Sequence, residues 1–137
     1  MSAVVDAARG MLGWRWRHMG RDCHGVDCLG LAILAYRAAG HDVPEPPPYR
    51  REPQGHSIMA GLEALGARLV PMRAAQDGDL LLFRVGVYAA HVGILSTHPT
   101  LHVPACVHAY LPRRCVVEEP LGLELAPQLV SAWRMEV

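Results

Sequence analysis

The stretch GVDCLGLAIL, residues 25–34, sets a cysteine directly behind an aspartate and ahead of an apolar run with helical periodicity. Val26, Leu29, Ala32 and Ile33 recur at helical spacing, Tyr36 extends the stripe and Gly40 stands where a helix would end, so VDCLGLAILAYRAAG is expected to be helical. Asp27 has the side chain of an N-cap, which puts Cys28 in the first turn. Unpaired N–H groups and a partial positive charge at that end are expected to lower the thiol pKa. The same N–H groups can receive the oxyanion of a tetrahedral intermediate. Gly30 lies inside the helix at a cost of about 1 kcal/mol relative to alanine, which points to close packing against another element. Against this stands the plainer reading of a cysteine, a small apolar filler; Cys23, Cys106 and Cys115 are read that way.

Composition narrows the possibilities. The chain has 137 residues, enough for one domain with a core of its own, and spans a single domain over 1–137 in this reading. Hydrophobic residues make up 51% and the formal net charge is zero, so no footprint for nucleic acid or anionic lipid is visible. No apolar run is long enough for membrane insertion, and the first twenty residues do not read as a secretory signal. Four cysteines invite a disulfide reading, but so apolar a chain has little need of staples. Cys23, His24 and Cys28 match no common metal spacing, so neither metal nor cofactor is expected.

Residues 3–12 read as a short amphipathic helix and 13–25 as loop. Five prolines within residues 44–53 force an extended course on the segment that follows the cysteine helix. HSIMAGLEALGA, 56–67, reads as another helix, and RLVPM, 68–72, as a short edge strand broken by Pro71. The second half reads as strands at 78–85, 90–96, 105–111, 114–121 and 130–137, with LPRR as the turn between the third and fourth. Helices first and short strands after them argue for an α+β domain with a small antiparallel sheet.

A cysteine nucleophile needs a base, and the base needs a partner that orients it. Alternation puts His91, Gly93 and Leu95 on one face of their strand and Cys106, His108 and Tyr110 on one face of theirs. If the two strands pair antiparallel, His91 can take the thiol proton while His108 holds its ring in the right tautomer. His102 competes with His108 for that role. Asp79, in GDLLLF, reads as a turn cap that fixes its strand, and Trp14 and Trp16 as groove-lining or packing residues.

The ordered set DCLGL, GDLLLF, HVGIL and VHAY…VVEEPLG resembles the NlpC-type family of cell-wall cysteine peptidases. WRHMGR before the cysteine and PEPPPY after the helix are similar to its phage-tail branch, also found in tail-like gene transfer agents. The likeness runs from about Met11 to Trp133. It implies a papain-like α+β fold with N-terminal helices on a small antiparallel sheet. It also implies Cys28 as nucleophile, His91 as general base and His108 as the residue orienting it. The substrate it implies is the peptide stem of peptidoglycan, cut between D-glutamate and a diamino acid, with other tail-tip or hub proteins as partners. The chain would then be assembled in the cytoplasm and carried on a tail to act at the wall of the target cell during DNA delivery. One departure stands out. Trp16 occupies the place of a family tyrosine whose hydroxyl contributes to the site, and an indole N–H can donate but not accept. Substrate or oxyanion contacts would then fall to Trp16, Asp27 and the Cys28 backbone. The competing reading is a catalytically weak or inactive tail-hub subunit that keeps the fold as a wall-docking module.

Overall fold

Two apolar faces of one sheet organise the chain. A computed structural model describes residues 2–49, 57–85 and 88–135. In chain order the elements are α1 (Ala3–Arg9), β1 (Arg21–Asp22), β2 (Gly25–Val26), α2 (Cys28–Ala38), α3 (Ser57–Ala64), β3 (Ala67–Val70), β4 (Leu80–Val85), β5 (Tyr88–Thr97), β6 (Pro104–Tyr110), β7 (Cys115–Pro120), α4 (Gly122–Leu125) and β8 (Leu129–Met135). The main sheet is antiparallel with strand order β3-β8-β4-β5-β6-β7. No helix among the described residues is long and apolar enough to cross a membrane.

Alternation along the strands divides the core in two. Leu80, Leu82, Val92, Ile94, Val107 and Ala109 pack with α1, α2 and α3. Leu81, Phe83 and Cys106 face the other way, against Leu125 and the partly buried Leu121 and Leu129. The helix of residues 28–38 buries Leu29, Leu31, Ala32, Ile33, Ala35 and Tyr36, more than one stripe, because its N-terminal end is also enclosed by the loop before it. Ser2 caps α1 by accepting from the Val5 N–H at 3.2 Å, and α1 ends at Arg9, three residues short of the expected boundary.

The loop expected over 13–25 contains the two-stranded hairpin β1–β2, with Arg21 opposite Val26. So short a ladder leaves no apolar periodicity for a sequence reading to catch. The short helix α4 between β7 and β8 was likewise not expected. The 50–56 part of the proline-rich segment lies outside the described residues, whereas 41–49 runs without regular structure, as its prolines demand.

Gly30 does permit a close approach. A Cβ there would collide with the Gly20 carbonyl oxygen and reach within 2.8 Å of Arg21 Nη1. Backbone cannot yield as a side-chain tip can, so the gain of about 1 kcal/mol in helix propensity from Gly30→Ala is outweighed. The variant is expected to lower the melting temperature, measured by circular dichroism; an increase would contradict this packing.

Candidate active site

Where β5 and β6 part, the sheet opens towards the end of α2. Their pairing runs from Thr97↔Pro104 to Ile94↔Val107 and stops there. The Leu95 N–H bonds the Asp79 carbonyl on the β4 side at 2.8 Å. By alternation the Val92 N–H points the opposite way, into the opening. It faces the sulfur of Cys28, as do the N–H groups of Leu29 and of Cys28 itself. The thiol is thus brought against the residue that follows His91.

Asp27 holds the end of α2. One carboxylate oxygen accepts from the Gly30 N–H at 2.8 Å as an N-cap, with Arg21 Nη1 at 3.3 Å. The other accepts from the Met19 N–H at 2.7 Å and the Tyr49 hydroxyl at 2.6 Å. Arg21 Nη2 also donates to the Tyr49 oxygen at 3.0 Å, and Arg21 pairs with Glu45 at 2.7 Å. The loop before the cysteine and the proline-rich segment after its helix therefore converge on one buried carboxylate.

On the other face of the sheet His91 Nε2 lies 2.8 Å from His108 Nδ1. Phe83 and Tyr110 flank the His91 ring with centroids at 5.7 and 5.5 Å, and Tyr110 stacks on His108 at 4.5 Å. A Cβ on Gly93 would come within 3.3 Å of His108 Cβ, so glycine leaves room for the second ring. His108 is wholly buried, and its Nε2 lies 2.8 Å from Glu119 Oε1.

Glu119 did not figure in the sequence reading, although the signal was present. If residues 111–114 form the turn, 110 pairs with 115 and 106 with 119, as observed, which puts Glu119 on the face of His108. Glu118 points the other way, to Arg9 at 2.9 Å and Ser96 at 2.7 Å. His102, the competitor of His108, is exposed in the turn after β5. Trp14 and Trp16 pack, half-buried, against the main core. Asp79 accepts from the Gln76 N–H at 2.9 Å and pairs with Arg134 at 2.8 Å. All four cysteines are free; Cys106 is a core filler, but Cys23 is exposed on the hairpin and fills nothing.

The expected depression of the Cys28 pKa is overturned. Burial, with the negative charge of Asp27 behind it, pushes the thiol up to about 12 despite the three N–H groups facing it. Desolvation of the charged form outweighs the helix end. Burial likewise lowers His91 to about 3, helped by His108, and His108 to about 4, helped by Arg113. The three groups rest as a neutral thiol and two neutral imidazoles.

The profile of the NlpC/P60 family matches residues 13–108, a span that holds the cysteine, both histidines and the strands between them. The chain belongs to the NlpC/P60 family. A comparison with curated protein sequences finds no match. Among solved structures it is similar to an NLP/P60-family lipoprotein-like protein from Staphylococcus aureus, with TM-score 0.68, 22% identity and coverage of 98% of this chain but 41% of that one. The NlpC/p60 domain of the peptidoglycan hydrolase SagA gives TM-score 0.65 and 22% identity, with 97% of each chain covered. RipD from Mycobacterium tuberculosis, described as a non-catalytic NlpC/p60 protein adapted to peptidoglycan binding, gives TM-score 0.63 and 13% identity, covering 98% of this chain and 95% of its own. At these identities the likeness is one of fold: the NlpC/P60 α+β architecture, shared by hydrolytic and non-hydrolytic proteins.

Two outcomes follow from the electrostatics. Asp27→Asn removes the charge that disfavours the thiolate, so the Cys28 pKa should fall. The pH dependence of iodoacetamide alkylation in a Cys23→Ser, Cys115→Ser background measures it, and an unchanged profile would contradict the assignment. The histidines make the second case. Their ordinary value is 6.5 and their folded values are about 3 and 4, so on acidification the unfolded chain takes up protons first. Stability is complete above pH 6.5 and declines below it, with each ring contributing up to about 1.4 kcal/mol per pH unit. The melting temperature should drop between pH 7 and pH 5, and less steeply in His91→Phe.

Proposed function

We propose that this chain is a cysteine peptidase acting on the peptide stems of peptidoglycan, with Cys28 as nucleophile, His91 as general base and His108 as its positioning residue. The observation that carries the reading is the junction of α2 and β5. The Cys28 sulfur meets the Val92 N–H beside a histidine whose Nε2 is already engaged by His108 at 2.8 Å. That engagement leaves His91 Nδ1 as the ring nitrogen for the thiol proton.

Proton transfer from the Cys28 sulfur to His91 accompanies attack on the stem carbonyl carbon, because burial and the Asp27 charge disfavour a free thiolate. The N–H groups of Cys28 and Leu29 that face the sulfur lie where negative charge develops on the carbonyl oxygen. His91 then returns the proton to the departing amine as the C–N bond breaks, leaving a thioester. Water, deprotonated by the same ring, hydrolyses the thioester and restores the thiol. Asp27 serves by fixing the helix end, whereas Trp16, packed against the main core, supplies no hydroxyl.

The D-glutamyl–diamino acid bond is the proposed point of cleavage, and delivery on a phage-like tail the proposed setting, with tail-tip or hub proteins as neighbours. The sequence segments WRHMGR and PEPPPY support the tail assignment. The second reading, a non-catalytic wall-docking subunit, draws on the strongly raised Cys28 thiol and on a neighbour described as non-catalytic.

Digestion of purified peptidoglycan, with mass analysis of the released fragments, separates the two readings. Wild type should release stem fragments, while Cys28→Ser and His91→Ala should lose activity by at least about 100-fold. Retention on sedimented wall material without fragments from any of the three would establish the docking role instead.

A further inference from the structure

The 2.8 Å contact between His91 Nε2 and His108 Nδ1 admits two proton arrangements. In one, His91 Nε2 donates and His91 Nδ1 keeps its lone pair. In the other, His108 Nδ1 donates and the hydrogen of a neutral His91 sits on Nδ1, where it can take nothing from a thiol. A group that acts on the far nitrogen of His108 can choose between them.

Glu119 is in that position. Its Oε1 lies 2.8 Å from His108 Nε2, and a carboxylate accepts without donating. Arg113 Nη2 stands 3.5 Å from the other oxygen. The side chain comes from an edge strand and is partly exposed, whereas the ring it meets is wholly buried.

We propose that Glu119 is a positioning residue that sets the protons on both rings. By accepting from His108 Nε2 it makes His108 Nδ1 an acceptor, which takes the hydrogen of His91 Nε2 and leaves the lone pair of His91 Nδ1 free. The use of that lone pair on Cys28 rests on the peptidase reading above; the proton arrangement does not. Tyr110 stacked on His108, and Phe83 beside His91, keep either ring from turning over to evade the choice. The burial that keeps both imidazoles neutral is what gives each ring one donor and one acceptor to be assigned.

Two-bond proton–nitrogen correlation spectra of protein labelled with nitrogen-15 in its histidines report the tautomer of each ring directly. In wild type at pH 7 both His91 and His108 should carry hydrogen on Nε2. Glu119→Leu should bring in, or switch to, the form with hydrogen on Nδ1 of both rings. If the leucine variant does not fold, Glu119→Ala takes its place, since water there donates as readily as it accepts. A wild-type His91 protonated on Nδ1, or a folded variant whose two rings are unchanged, overturns the proposal whatever the protein does to peptidoglycan. Kinetics supply the second arm if the chain is active. Glu119→Leu should lower kcat at least about tenfold with little change in KM. The same substitution should have no further effect in a His108→Ala background, whereas an independent loss there would mean that Glu119 does not act through His108.

Discussion

The end of β5–β6 pairing at Ile94 and Val107 is the constraint on which the site depends. Had the ladder continued, the Val92 N–H would be spent on β6 and the opening that admits the Cys28 sulfur would be closed. Because the strands part, a donor is released at the point where the helix from the opposite layer arrives. The Cys28 sulfur and the imidazole pair belong to different faces of the sheet, and the sulfur approaches the strand of His91 where the sheet is discontinuous. The helix layer, the sheet and the second apolar cluster each hold one part of that junction.

Burial then decides the electrostatics. Three N–H groups stabilise a thiolate at Cys28, but burial and the Asp27 carboxylate together outweigh them. The imidazoles respond to the same environment in the opposite sense, since for them the charged form is the protonated one. Such a group of residues holds no standing ion pair.

Much of this arrangement was legible in the amino-acid order. The apolar stripe after Asp27 identified the cysteine helix, and strand alternation allowed His91 and His108 to share one face, on condition that their strands pair antiparallel, as they do. Gly30 announced a close neighbour, which proved to be the Gly20 carbonyl oxygen. The direction of the Cys28 shift was not legible, because helix-end position can be read from local order whereas burial depends on elements far along the chain. Hairpin β1–β2 escaped notice since two residues per strand carry no periodicity. Glu119 is a different case: the register of the 110–115 turn would have found it, had the pairing been followed two residues past His108.

The convergence on Asp27 also fixes the surroundings of the Cys28 sulfur. Hydrogens from Met19, Gly30, Tyr49 and Arg21 all point at its two oxygens, so little of their acceptor capacity is left for solvent. Three segments distant in sequence are thereby immobilised beside the sulfur in the resting protein. The entropy lost in ordering those segments is met when the chain folds, so the end of the cysteine helix is preorganised.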